Sequence, residues 1–297
     1  MAMRLPTPGF GINIHTRMHP DMDLVAEALH AEQLGFDIVT LHGDVLHGTA
    51  PSLETWTLLT WLAARTTRIR LAPLVLALPN RHPAVLAKMA ETLDRLSAGR
   101  LILALGSGAA MNEPAYRAFG LAQRAPRQKV EALEEAIDML HGLWSTSSFS
   151  YAGRHVQTDG ATIEPKPSRP IPIWLGVFGD RMVELVGRKA DGWIPTYPFL
   201  APEPAYEKLE RIRRVADNAG RNSDEITYAY NVPVLVEAGS STSRGQIAGS
   251  AEEVARQLAD FVRHGFTLLN LWPGGVATQQ CERLAREVLP IVRDLLA

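Results

Sequence analysis

A single cysteine, Cys281, stands in 297 residues, so an intrachain disulfide is excluded, and its place in an expected C-terminal helix gives no reason to assign it a reactive role. Lys and Arg together number 30 against 32 Asp and Glu. The formal net charge of -2 lacks the positive excess by which proteins hold nucleic acid or an anionic membrane surface. No apolar run approaches the roughly 18 residues of a membrane span, and Met1 to Phe10 has no basic stretch followed by an apolar one. A cytoplasmic location is the default expectation. No Gly-x-Ser-x-Gly elbow occurs, which speaks against a Ser-His-Asp hydrolase. What is there is ordinary globular composition, 46% hydrophobic and 21% charged, in a chain long enough to bury a substantial core.

Short apolar, β-branched runs alternate with segments of helical period from Phe10 to the C-terminus, the pattern of repeated parallel βα units. Expected strands are Phe10 to Ile14, Phe36 to Leu41, Ile69 to Leu76, Leu101 to Leu105, Ile171 to Leu175, Gly192 to Ile194, Ile226 to Val236 and Phe266 to Leu271. The helices expected after them are Met22 to Leu34, Leu53 to Arg65, Ala84 to Leu96, Arg127 to Leu143, Arg181 to Lys189, Pro204 to Ala219, Ala251 to His264 and Gln279 to Leu296. Val130, Leu133, Ile137 and Leu140 share one helical face, and Ser250 with Glu253 has the spacing of a capping box. Eight such units without a linker-like shift in composition predict one (β/α)8 TIM barrel over residues 1–297. The stretch from 145 to 170, between the fourth helix and the fifth strand, is polar and rich in Ser, Gly and Pro. It is expected to be an insertion over the barrel mouth, with a hairpin from Phe149 to Tyr151 and His155 to Gln157, or else a passive surface excursion.

In such a barrel the chemistry sits just past the strand ends. The residues to weigh are Asn13, His15 and Arg17; His42, Asp44 and His47; Pro79 to His82; Gly106, Ser107, Gly108 and Asn112; Gly176 to Arg181; Tyr197; and Trp272 to Gly275. The loop Gly176-Val177-Phe178-Gly179-Asp180-Arg181 reads as an anion site, because glycines leave N–H groups accessible and the following helix presents its positive end. Arg181 would add a charge-assisted contact to phosphate; the competing reading is a tight turn with a surface arginine. Gly106-Ser107-Gly108 permits close approach of a flat ligand or is simply turn geometry. His42, Asp44 and His47 have short metal-ligand spacing, but the ends of strands four to six offer no further His, Cys or Lys, so a metallohydrolase ranks last and no metal is expected. Trp193, Tyr197, Phe199, Trp272 and Phe178 suggest a mouth lined for an apolar or aromatic substrate.

Several strings resemble the luciferase-like monooxygenase family: Ala31 to Asp37, Arg68 to Leu76, Arg81 to Ala84, the Leu-Asp-Arg-Leu-Ser-Ala-Gly-Arg run Leu93 to Arg100, Tyr116 to Gly120, Pro170 to Gly176 and Ala190 to Trp193. The resemblance runs through the chain in order. It implies a TIM-like barrel holding FMN or the 8-hydroxy-5-deazaflavin coenzyme F420, with the ring in the mouth and the phosphate on the loop Gly176 to Arg181. It also implies a non-prolyl cis peptide on the third strand, by position Leu74-Val75, behind the ring, with Asn13, Gly106, Ser107, Gly108 and Asn112 alongside. The family's Asp-His pair after the second strand falls on Gly43 and Asp44, so the usual histidine is missing; His42 or His47 is the candidate substitute, and His42 and Asp44 are the candidate catalytic residues. The implied activity is hydride transfer between the coenzyme and a small organic substrate by a cytoplasmic homodimer packed through its early helices. The alternatives are an FMN-dependent monooxygenase fed by a separate reductase and a catalytically silent flavin-binding protein.

Overall fold

The computed structural model describes residues 5–16, 23–42 and 51–297. The first half of the chain forms β1 (Gly9–His15), α1 (Leu24–Gln33), β2 (Ile38–His42), α2 (Thr55–Arg65), β3 (Arg70–Leu74), β4 (Leu76–Ala77), α3 (Pro83–Leu96), β5 (Leu103–Gly106), α4 (Glu113–Ala118) and α5 (Pro126–Ser145). A hairpin of β6 (Phe149–Ala152) and β7 (Gln157–Ala161) follows, then β8 (Ile173–Leu175), α6 (Asp180–Lys189), β9 (Gly192–Trp193), α7 (Pro202–Asn218), β10 (Thr227–Val236), β11 (Ile247–Gly249), α8 (Ala251–Arg263), β12 (Leu268–Pro273), α9 (Ala277–Arg283) and α10 (Leu289–Leu296).

The large sheet runs β3-β2-β1-β12-β10-β9-β8-β5-β4, and all of its pairings are parallel. Its two ends are halves of one strand path. β3 pairs with β2 and β4 with β5, and the change of partner falls at Val75, where the Leu74-Val75 peptide is cis. Leu71 completes the circle: its N–H donates to Arg100 O and its carbonyl accepts from Ile102 N, both at 3.0 Å. The eight-stranded barrel expected from the βα alternation is thus present. Its strands are apolar on both faces, because one face meets the helices and the other the barrel interior.

Phe10, Ile12, Val39 and Leu41 face outward into the helix-packed core, while Ile38, Ala72, Ile102, Ala104, Trp174, Ile194, Ala229 and Leu268 fill the interior. The capping box forms as its spacing predicted, with Ser250 N–H donating to Glu253 Oε2 at 2.8 Å and Glu253 N–H to Ser250 Oγ at 3.3 Å. The helix expected over Gln279 to Leu296 is divided by a π turn at Leu284–Val288 just before Pro290, whose ring lacks an N–H and crowds the preceding turn. The sequence reading also missed α4 and β11, a short strand that pairs with the far end of β10.

The hairpin within 145–170 lies along α5. The N–H groups of Arg154, His155 and Val156 donate to the Glu135 carboxylate at 2.8–3.1 Å, and the Phe149 ring occupies the space a Cβ on Gly142 would need. Farther on, Lys88 Nζ and Arg95 Nη2, both on α3, reach the carbonyls of Glu164 and Lys166. These contacts set the segment on the flank of α5 and α3, not over the mouth where the sequence reading placed it. None of its residues lines the mouth cavity.

Candidate functional site

The C-terminal ends of the strands surround a cavity of about 670 Å³. Leu74, Val75, Gly106, Ser107, Gly108, Asn112, Gly176, Val177, Phe178 and Gly179, all expected around a coenzyme, line it, and so does His42. Val75 is the pivot of this arrangement. A Cβ on Gly106 would stand 2.7 Å from Val75 Cγ2, and one on Gly176 2.8 Å from Val75 Cγ1. The two glycines are therefore required by the bulged side chain between them, a packing reason that their sequence context did not reveal. Gly108 has φ +89°, a left-handed conformation that disfavours any side chain.

Across the cavity, α6 begins at Gly179 without a side-chain cap, and a Cβ there would meet nothing within 4 Å. The loop is held from behind: buried Trp193 donates from Nε1 to Val177 O at 2.9 Å. An uncapped helix start facing open space suits an anionic group. Two residues expected to join it turn elsewhere. Asp180 is held by Lys208 Nζ at 2.5 Å and Arg211 Nη1 at 3.4 Å, and the Lys208 hydrogen bond keeps its carboxyl below the usual carboxylate range. Arg181 lies in the outer cleft between α5 and α6, with Arg127, Glu131, Glu134, Glu184 and Arg188.

Below the cavity stands a belt of buried polar side chains, of which the sequence reading had named Asn13 alone. Asn13, Thr40, Thr196, Asn231 and Asn270 are each at most 8% exposed, and each lies two residues beyond an inward position of the tier beneath. Asn231 Nδ2 faces Ile194 O at 3.4 Å and Thr196 Oγ1 at 3.0 Å; a carbonyl oxygen only accepts, so this amide's orientation is fixed. Asn231 Oδ1 then accepts from Asn270 Nδ2 at 2.7 Å, and the other Asn270 Nδ2 hydrogen goes to Thr40 Oγ1 at 2.9 Å. Thr40 donates to Asn13 Oδ1 at 3.0 Å. Asn13 is thus part of the floor's framework and does not line the cavity, whereas Thr196, which already accepts from Asn231, is left with its own hydroxyl hydrogen at the cavity wall. Two residues above Thr40 and Asn270, His42 and Trp272 stand with ring centroids 5.4 Å apart, and His15 lies 6.4 Å from His42.

Asp44 and His47 lie outside the described residues. Phe178, Phe199 and Trp272 line the cavity as expected, but Trp193 is fully buried behind the loop, and Tyr197 opens on an outer groove with Tyr206 and His264. Cys281 is buried, and that burial, with Glu27 and Glu282 nearby, pushes its thiol up to about 12, which suits an inert packing residue.

The site is thus a cavity at the strand ends of a closed parallel barrel, with a bulged strand on one wall and an open helix start on the other. The luciferase-like monooxygenase family matches residues 14–246, and the chain belongs to that family. The F420-dependent glucose-6-phosphate dehydrogenase of Nakamurella multipartita is 32% identical over 230 residues, 75% of this chain and 66% of that protein. Its counterpart from Kineococcus radiotolerans is 34% identical over 205 residues, 67% of this chain and 59% of that one. The chain thus spans about two thirds or less of the length of these curated relatives. Among solved structures, an F420-dependent secondary alcohol dehydrogenase in complex with an F420-acetone adduct superposes with a TM-score of 0.87 at 19% identity, covering 97% of this chain and 100% of that chain. A long-chain alkane monooxygenase gives 0.80 at 15%, covering 99% and 92%. At such identities the likeness is one of fold.

Proposed function

We propose that the protein is an oxidoreductase that binds coenzyme F420 at the barrel mouth and passes hydride between it and a small organic substrate. The observation that carries the reading is the pairing, in one cavity, of the Val75 bulge braced by Gly106 and Gly176 with the uncapped start of α6. The bulge supplies a wall for a planar ring, and the helix start takes its phosphate through backbone N–H groups. The names of the curated relatives support the choice of coenzyme.

When bound, the deazaflavin supplies a two-electron hydride donor or acceptor, and the protein supplies position and surroundings. Val75 and Leu74 set the ring's depth, Trp193 fixes the phosphate loop through Val177 O, and Phe178 with Phe199 keeps water from the opening. His42, on the cavity wall, is the proposed group for the accompanying proton. The proposal extends to a cytoplasmic homodimer. Trp61 on α2 and Val85 on α3 are 58% and 57% exposed, apolar surface that a partner protomer would cover.

Side-by-side titration of the purified protein with oxidised F420 and with FMN, followed by fluorescence quenching, tests the reading. Tight binding of F420 with FMN far weaker supports it. Preference for FMN, with oxygen uptake when the flavin is reduced, transfers the site to the monooxygenase reading that the same cavity would serve, and binding of neither removes both.

A further inference from the structure

We infer that a groove on the outer wall of the barrel, between α7 and α8, binds an α-amino acid with an apolar side chain. The groove is separate from the mouth, and the inference does not rest on the coenzyme reading. Its volume of about 520 Å³ is that of a small-molecule site. Ile247 and Phe261, 1% and 5% exposed, form its floor. Tyr197 and Tyr206 are its walls: the Tyr197 ring meets Phe261 edge-on at 6.1 Å, and the Tyr206 ring is stacked on His264 at 4.1 Å and 9°. That stack holds the Tyr206 ring in place before a ligand arrives, which lowers the ordering cost of binding.

Three permanently charged side chains border this apolar surface: Glu203 in the first turn of α7, and Arg256 and Asp260 on α8. Arg256 and Asp260 are four residues apart, so they lie side by side along one helix face. Among the described residues Glu203 and Arg256 form no ion pair. Asp260 pairs with His264 Nδ1 at 3.5 Å, and that nitrogen also donates to the Asp260 carbonyl at 2.8 Å. Burial raises the pKa of the Tyr206 hydroxyl, and Asp260 and Glu203 add to the rise; at Tyr197 burial acts first and Glu203 adds to it. Both carboxylates thus act on the aromatic walls.

Two carboxylates and one guanidinium beside an aromatic slot match a zwitterion. The ammonium meets Glu203 and Asp260, the carboxylate meets Arg256, and the side chain enters between the tyrosines. A plain amine leaves Arg256 unmatched, and a plain carboxylate is repelled by two acids. Exposed charge pairs contribute little by themselves. Affinity therefore comes mostly from covering the ligand's apolar side chain, and the charges set its orientation and select it.

Calorimetric titration of the whole protein with L-phenylalanine, phenethylamine and 3-phenylpropionate, with and without saturating F420, tests the inference. L-Phenylalanine should bind, and the two analogues that lack one of its charges should each be weaker by about fivefold or more. Arg256→Gln should bring L-phenylalanine down to the level of phenethylamine. Glu203→Gln should weaken L-phenylalanine and phenethylamine and leave 3-phenylpropionate no weaker, while Tyr206→Leu should weaken all three. F420 should not displace L-phenylalanine. No binding of L-phenylalanine up to its solubility limit, equal affinity for the three compounds, indifference to Arg256→Gln, or displacement by F420 overturns the inference. Failure of F420 itself to bind sinks the coenzyme reading and leaves the groove standing.

Discussion

Arg100 closes the run Leu93 to Arg100, the most specific of the strings shared with the family, yet it lies at the end of the barrel opposite the cavity. Its guanidinium is buried, with the residue 6% exposed, and makes four hydrogen bonds: Nε to Ser97 O at 2.8 Å, Nη1 to Thr66 Oγ1 at 2.7 Å and Ile69 O at 3.1 Å, and Nη2 to Ala63 O at 2.6 Å. It ties the end of α2, the entry to β3 and the end of α3 together. Arg100→Met fills similar space and removes every donor, leaving carbonyls at two helix ends and a strand entry unsatisfied. Losing a buried charged donor of this kind costs about 3–5 kcal/mol. For a chain of this size that corresponds to a Tm lower by roughly 6–10 °C, at roughly 2 °C per kcal/mol. Differential scanning calorimetry reads the shift, and fluorescence titration with F420 at 10 °C, well below the transition, reads the site. A Tm change under 2 °C, or a coenzyme affinity altered more than twofold in the folded variant, would refute the view that this string is a structural tie and not part of the site.

Glu32 accepts from three successive N–H groups, Thr67, Arg68 and Ile69, at the turn into β3. Partial burial works to raise its pKa, but donation from Ile69, Arg68 and Thr67 prevails and holds the carboxyl below its ordinary value. Because the folded value is depressed, the stabilisation is complete above the unfolded pKa and lost as pH falls from about 4.5 through the folded value. Glu32→Gln should therefore show a shallower loss of Tm between pH 5 and pH 3 than the parent, read by scanning fluorimetry; parallel curves would assign the acid sensitivity elsewhere. Trp193→Phe keeps an aromatic core residue and deletes the Nε1 bond to Val177 O. It should weaken F420 binding about fivefold, mostly through faster dissociation by stopped-flow, with the far-UV spectrum unchanged.

Particular residues show how far the sequence alone reaches. The strings that carried the family resemblance are legible because backbone geometry demands them. Asp191 Oδ2 accepts from Ile173 N–H at the start of β8, and a Cβ on Gly192 would strike the Trp174 ring. Ala98 and Gly99 adopt φ of +53° and +79° before Arg100. These are local or nearly local requirements, so they survive as strings, and they specify the barrel more than its chemistry. The belt was harder to see. Thr40, Asn231 and Asn270 are lone polar residues in apolar strands, a visible signal, but strand alternation by itself does not say which of two apolar faces meets the helices and which the barrel axis.

By itself the sequence determined the count and order of the βα units and the capping box at Ser250, and its strings carried the family resemblance that implied the site of the cis peptide. Those follow from periodicity, turn chemistry and contiguous strings, all short-range along the chain. Tertiary structure decided the rest. It sent Asp180 to α7 and Arg181 to the outer cleft although both sit in the anion loop. It buried Trp193 behind that loop, laid the 145–170 segment along α5, and joined Thr40, Asn231 and Asn270, up to 230 residues apart, into one directed network. Barrel closure brings distant strands side by side and sets the direction each side chain takes, and neither is encoded by any single stretch of the chain.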